Sequence, residues 1–160
     1  MSFAAFKSRA LEEGRRYGED RLVFLRELAQ NSRDAGAHRI GVAAFLERGD
    51  AVVSFGDDGA GMTLEHARRF FFTLYASSKE REQRSAGQFG VGFWSVLLFD
   101  PTHIIVESLT EDGEAWAVAL DGELAAPREV ECGLRTPGTR VTVRRRTGAT
   151  DGERLLVEVD

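Results

Sequence analysis

Cysteine is nearly absent: Cys132 is the only one in 160 residues. A single thiol cannot close an internal disulfide or build a cysteine metal cluster, and this usage suits a cytoplasmic protein. His38, His66 and His103 show no metal spacing. An excess of basic charge is also lacking. Lys and Arg number 21 against 26 Asp and Glu, giving a net charge of -5 and a pI of about 5.3. That balance argues against generic nucleic-acid binding, which needs a basic face, while leaving room for a local basic patch. No segment is long and apolar enough to cross a membrane. The opening residues are no signal peptide, because Lys7 and Arg9 arrive before any long apolar run. Internal repeats and low-complexity tracts are missing. So are two common phosphate-binding signatures, the Walker-type Gly-Lys-Ser/Thr and the Gly-x-Gly-x-x-Gly of dinucleotide folds.

What is present reads as one ordinary globular domain over residues 1–160, with 42% hydrophobic and 29% charged residues and enough length to bury a core. A charged helix is expected from about Phe3 to Tyr17. A second runs from an N-cap at Asp20 to about Ala35, ending at Gly36, with a core face of Leu22, Leu25, Leu28 and Ala29. Strands are expected at His38 to Leu46 and Ala51 to Phe55, joined by a hairpin-like Glu47-Arg-Gly-Asp turn. A third helix starts near Thr63, a good N-cap, and carries a cluster from Phe70 to Tyr75 that reads as core packing. The polar stretch Ala76 to Ala86 reads as a mobile loop. An apolar helix follows through about Phe99. Strands at His103 to Ser108, Ala115 to Leu120 and Thr139 to Arg145 come next, with a last one at Leu155 to Val159. Helices dominate the first part and strands the last, so the expected class is α+β with helices on one face of a sheet.

Three short motifs occur in a fixed order. In Glu27-Leu-Ala-Gln-Asn31-Ser-Arg-Asp34-Ala35, the residues Glu27, Asn31 and Asp34 stand at i, i+4 and i+7 and share a helical face. A carboxylate can polarise a water for attack on phosphorus, and an amide oxygen is a hard ligand suited to Mg2+. The same face could equally be a solvated one. In Asp57-Asp-Gly59-Ala-Gly61-Met62, the first aspartate ends an apolar strand. A carboxylate accepts from the exocyclic amine of adenine but opposes the carbonyl of guanine, a choice of roughly 1–3 kcal/mol. Gly59 and Gly61 permit a tight turn, and Met62 could lie against the base. A plain surface Asp-Gly turn is the alternative. In Gly87-Gln-Phe-Gly90-Val-Gly92, glycines open an apolar helix where backbone N–H groups attract phosphate. A packing turn would look the same.

Together the three blocks resemble the GHKL superfamily of ATP-binding domains (gyrase, heat-shock chaperone, histidine kinase and MutL). They match its Glu-x-x-x-Asn-x-x-Asp-Ala, Asp-x-Gly-x-Gly and glycine boxes, and Gly138-Thr139 opening a late strand fits a fourth element. The resemblance runs from about Arg21 to Arg145. It implies the Bergerat fold, a two-layer α/β sandwich with a mixed, mostly antiparallel sheet and ATP under a mobile lid. By position it implies Glu27 as general base and Asn31 as Mg2+ ligand. Asp57 would read adenine and Gly61 and Met62 would line the base pocket. Gly87, Gly90 and Gly92 would contact phosphates, Thr139 would join the adenine water network, and Asp34 would join the polar network beside the metal. Gly87 to Ser95 looks like the glycine box of 90-kDa heat-shock chaperones. The interval from Met62 to Gly87 is shorter than their lid, and Tyr75-Ala-Ser-Ser-Lys79 looks more like the lid of MutL or Microrchidia ATPases. Lys79 is a candidate phosphate contact, with a solvated loop lysine as the alternative.

The function so implied is Mg2+-dependent ATP binding and slow hydrolysis driving a conformational or dimerisation switch. Residues 76–86 would be the ATP lid and residues 1–20 a dimerisation helix, with a second copy, a downstream domain or another protein as partner. In the resembled ATPases a lysine or arginine from a following domain completes the site, so slow turnover is expected of this chain alone. Two rivals stand beside this reading: a nucleotide-dependent interaction module without turnover, and a protein kinase of the anti-sigma type. Arg144-Arg145-Arg146 reads as a solvated strand end, and Cys132 as a small side chain near a turn.

Overall fold

The computed structural model describes residues 8, 11, 12, 15, 20–70, 92–121 and 127–147. Helix α1 (Val23–Asp34) comes first, followed by the hairpin β1 (Ile40–Glu47) and β2 (Asp50–Asp57). A short helix α2 (Leu64–Phe70) and a 3-10 helix η1 (Phe93–Phe99) lead to strands β3 (His103–Leu109), β4 (Ala115–Asp121), β5 (Arg128–Val130) and β6 (Gly138–Arg146). The strands form one six-stranded sheet in the order β1-β2-β6-β3-β4-β5. Every ladder among the described residues is antiparallel, in keeping with the mostly antiparallel sheet that the resemblance implied. The class is the expected α+β.

Alternation decides which face is buried. Val53 and Phe55 of β2, Ile104 and Val106 of β3, Val118 and Leu120 of β4, and Val141 and Val143 of β6 point to one side. Phe24 and Leu28 of α1 and Trp94, Val96 and Phe99 of η1 cover them. Phe24 meets Phe99 edge to face at 5.8 Å, a favoured geometry for aromatic quadrupoles. Leu11, from the segment read as the first helix, packs on the rim of this core.

Helix α1 begins later than its sequence suggests. Leu22 occupies the N-cap without a side-chain cap bond. Asp20 instead accepts the Leu22 N–H at 2.8 Å in the preceding turn. The C-terminus follows expectation. Gly36 has φ +73, Ala37 N–H reaches Ser32 O at 2.9 Å and Gly36 N–H reaches Arg33 O at 3.0 Å, the paired bonds of a Schellman ending. Arg48 and Gly49 both take positive φ in the β1–β2 hairpin, as a mirror-image two-residue turn needs. Thr63 caps α2 through His66 N–H at 3.1 Å.

The helix expected after the glycines is 3-10 rather than α. Ser95 Oγ and Ser95 N–H both bond to Gly92 O, an i−3 contact that tightens the first turn. Asp100, in the left-handed region, and Pro101 close it after seven residues. Strand β5 was not anticipated. The aromatic positions 71–75 and the strand expected at Leu155 to Val159 lie outside the described residues. Arg144 and Arg146 pair with Glu47 and Asp50 on the sheet's other face, so this strand end is an ion-pair ladder rather than a purely solvated one. No helix among the described residues is long and apolar enough to cross a membrane.

Candidate functional site

Helix α1 lies along one side of the site and touches it at both ends. Phe24, Leu28 and Ser32 recur every four residues and form its buried stripe. Glu27 and Asn31 flank that stripe and are half-buried. Near the N-terminal end, Glu27 packs directly on Gly92: a Cβ added at Gly92 would fall onto the Glu27 carboxylate. Arg26 lies 3.8 Å from the Glu27 carboxylate. The Asn31 amide has no side-chain hydrogen bond among the described residues. Asp34 is exposed, and its Oδ1 accepts from Gln30 Nε2 at 2.9 Å, so its carboxylate is engaged along the helix rather than with Glu27 or Asn31.

About one and a half turns further on, roughly 7–8 Å along the axis, Ser32 reaches the strand ends. Its hydroxyl lies 2.7 Å from Asp57 Oδ2 and 3.0 Å from Leu28 O. Asp57 Oδ1 accepts from Gly59 N–H at 2.9 Å and from Thr139 N–H at 3.3 Å. The sheet order explains the meeting, because β2 and β6 are neighbours and Asp57 ends one where Gly138 begins the other. Gly61 and Gly138 permit this closeness. Both have positive φ, and a Cβ on either would collide with backbone, at the Leu109 carbonyl and the Asp57 carbonyl respectively.

The Met62 segment is held as firmly. Met62 N–H donates to Ser108 Oγ at 2.8 Å, and Met62 O accepts from Trp116 Nε1 at 2.7 Å. Ala60 N–H bonds to Ala35 O at 3.0 Å, tying the loop to the end of α1. Asp58 anchors the segment entering β1, its Oδ1 accepting from His38 and Arg39 N–H at 2.8 and 2.7 Å. The Arg39 N–H leads in holding that carboxyl below its ordinary range.

On the opposite face of the sheet, Glu107 Oε2 bonds Arg140 Nε at 2.6 Å and Glu107 Oε1 accepts Gly133 N–H at 2.7 Å. Burial pushes the Glu107 carboxyl up. The Arg140 guanidinium and the Gly133 N–H outweigh it, and the carboxyl lies below the usual range. Glu107 faces Arg140 in the β3–β6 ladder and Ser108 faces Thr139 one step on. The ion pair therefore holds the register that sets Ser108 beside Thr139.

The fold thus brings Glu27 and Gly92 together at one end, with Asn31 one turn of α1 from Glu27, and Asp57, Gly61, Met62 and Thr139 at the other. Gly87, Gly90, Lys79 and the expected lid 76–86 lie outside the described residues. Ser32 and Ser108 were missed by sequence reasoning. A signal existed for both, a hydroxyl on an otherwise apolar stripe: Phe24, Leu28, Ser32 on the helix and Ile104, Val106, Ser108 on the strand. An open cleft of about 370 Å³ near Thr63, His66 and Thr110 shares Gly61 and Met62 with this site, but its lining includes neither Asp57 nor Glu27.

Comparison with known proteins bears on the class. A family model described as Histidine kinase-, DNA gyrase B-, and HSP90-like ATPase matches residues 23–137. The chain belongs to this family, which makes ATP its implied ligand class. Among similar curated proteins, the chaperone protein HtpG of Methylococcus capsulatus is 27% identical over 160 residues, covering 79% of this chain and 24% of the chaperone. HtpG of Oleidesulfovibrio alaskensis is 28% identical over 82% of the chain and 25% of its own length. The DNA mismatch repair protein MutL of Dictyoglomus turgidum is 34% identical over 56% of this chain and 16% of that protein. The chain spans about a quarter of the length of the chaperones it matches.

Proposed function

We propose that this chain binds ATP with Mg2+ along α1, adenine against Asp57 and phosphates toward Glu27 and Gly92, and hydrolyses it slowly. The observation that carries the reading is the span of α1. One helix presents a carboxylate beside the glycine at the start of η1 and, through Ser32, supports the aspartate that ends β2. Asp57 would accept from the exocyclic amine, with Met62 beside the ring and Gly61 leaving room for it. Thr139 and its neighbours would complete the polar wall.

Asn31 fits Mg2+ because its amide oxygen is a hard donor left without a protein partner among the described residues, and Mg2+ takes few protein ligands. When bound, the ion would offset phosphate charge. Glu27 would orient a water and take its proton at a carboxylate oxygen. Gly92, with Gly87 and Gly90, would offer backbone N–H groups to the phosphates. Asp34 would act on the Mg2+ side only by leaving Gln30, and Lys79 is kept as a phosphate contact on sequence grounds alone. The family reading extends this cycle to a switch in which 76–86 order over the nucleotide and chains associate through 1–20.

The test is calorimetric titration of Mg2+ and ATP together with steady-state phosphate release, for the parent and Glu27→Ala. Binding is expected in both and turnover only in the parent, since a base acts on the reaction rather than on ground-state affinity. Binding without turnover in the parent would favour the interaction module. Phosphate recovered on a partner protein would favour the kinase. An analogue-dependent change in sedimentation would support the switch, and an unchanged monomer would count against it.

A further inference from the structure

Ser108 is wholly buried at the base end of the site, and its hydroxyl is in contact with three groups. Met62 N–H donates to its Oγ at 2.8 Å. Gly138 O lies 3.1 Å away and Thr139 Oγ1 also 3.1 Å away. A serine hydroxyl has one proton to give. A carbonyl oxygen has none, so the contact with Gly138 O uses the Ser108 proton. The contact with Thr139 must then use the Thr139 proton, with Ser108 Oγ accepting. The reverse assignment would leave two lone-pair oxygens facing each other at a buried position, which is costly. Only one arrangement puts a proton in every contact.

This inventory decides what the pocket can recognise. Thr139 Oγ1, its proton turned inward to Ser108, offers lone pairs alone. The Asp57 carboxylate also offers lone pairs, its Oδ1 holding two backbone N–H groups and its Oδ2 facing the Ser32 hydroxyl, whose one proton is shared with Leu28 O. The wall at the β2 and β6 ends is therefore acceptor-only. A 6-amino purine brings two N–H bonds to such a wall, and a 6-oxo purine brings a further acceptor.

We infer that Ser108 is a positioning residue for nucleobase specificity: by taking the Thr139 proton it fixes Thr139 as an acceptor, so that Asp57 and Thr139 together select a 6-amino over a 6-oxo purine. The inference rests on the ATP reading proposed above. Without Ser108 the Thr139 hydroxyl turns freely and can donate to a 6-carbonyl.

The test titrates the full chain with Mg2+ and either ATP or ITP, which differ at the purine 6-position. The readout is the ratio of their dissociation constants. Ser108→Ala should lower the preference for ATP by about tenfold, the scale of one hydrogen bond made or opposed. A merely structural loss would weaken both nucleotides alike, and an unchanged ratio would overturn the inference. Thr139→Val keeps the Ser108 bonds to Met62 and Gly138 while removing the acceptor. It must also lower the ratio, which keeps the idea testable should Ser108→Ala not fold. Ser54→Ala removes a comparable hydroxyl pair, with Thr142 at 3.3 Å on the opposite face, and should leave the ratio alone; a fall there would also overturn the inference. A parent with no preference for ATP would defeat the Asp57 reading itself. A parent preference that survives in Ser108→Ala and Thr139→Val would defeat this inference only.

Discussion

The two ends of the site are built by different means. At the end proposed for the base, Asp57 takes three hydrogen bonds from the protein, and Met62 is held through both its N–H and its carbonyl. Three segments meet there with no room for a single added carbon at Gly61 or Gly138. At the end proposed for the phosphates, Glu27 rests on Gly92 with one distant arginine, and Asn31 keeps its amide unengaged among the described residues. Selecting a base needs acceptors aimed in advance, because discrimination comes from groups left unpaired by the wrong ligand. A metal and a reacting water need open valences instead. Protein–protein hydrogen bonds at Asn31 or Glu27 would compete with both.

One pair of identical substitutions should break this comparison into its parts. Gly61→Ala drives a Cβ into the Leu109 backbone at positive φ, and should cost about 3 kcal/mol of stability, read by denaturant unfolding. Gly92→Ala brings its Cβ first against the movable end of the Glu27 side chain. It should leave unfolding nearly unchanged and lower turnover about a hundredfold, because the proposed base is displaced. Similar stability losses for the two would mean that the ends do not differ in rigidity. Ser32→Ala removes one donor from Asp57 and should weaken ATP binding by about tenfold, with turnover at saturation preserved. A fall in saturated turnover would tie Ser32 to the reaction instead.

The smallest effect concerns the clamp behind the base end. Glu107 has its folded carboxyl below the ordinary value. Its contribution is therefore present above the unfolded value and is lost as pH falls through the folded one. Glu107→Gln should cost about 1 kcal/mol near neutral pH, a partly solvated pair being discounted. The gap to the parent should close in acid, below the ordinary glutamate range. Melting curves across pH check it, and a gap that widens in acid would reverse the sign of the coupling.

Much of this was legible in the sequence because burial follows period. The apolar run Ile104-Ile-Val106 and the alternation in Val141-Thr-Val143 mark β3 and β6 to within a residue at their ends. The Gly36 ending and the Thr63 cap carry their own local chemistry. Strand β5 was not legible, since Arg128-Glu-Val has no alternation and forms by pairing with β4. The 3-10 form of η1 depends on Ser95 competing for Gly92 O, a local bond that apolar composition does not announce. Among the site residues, Glu27, Asn31 and Asp57 stood in motifs. Ser32 and Ser108 did not, and they matter only because the sheet order carries Asp57, Thr139 and Met62 onto them. Asp34 shows the limit of face arguments: it shares a helical face with Asn31, yet its carboxylate turns to Gln30.

The central claim is that Asp57 reads an adenine amine. It is tested most directly by titrating the unmodified chain, in Mg2+, with ATP and with GTP in parallel. ATP should bind at least about tenfold more tightly, the scale of a buried acceptor left facing a carbonyl. Equal affinity for the two nucleotides would contradict it.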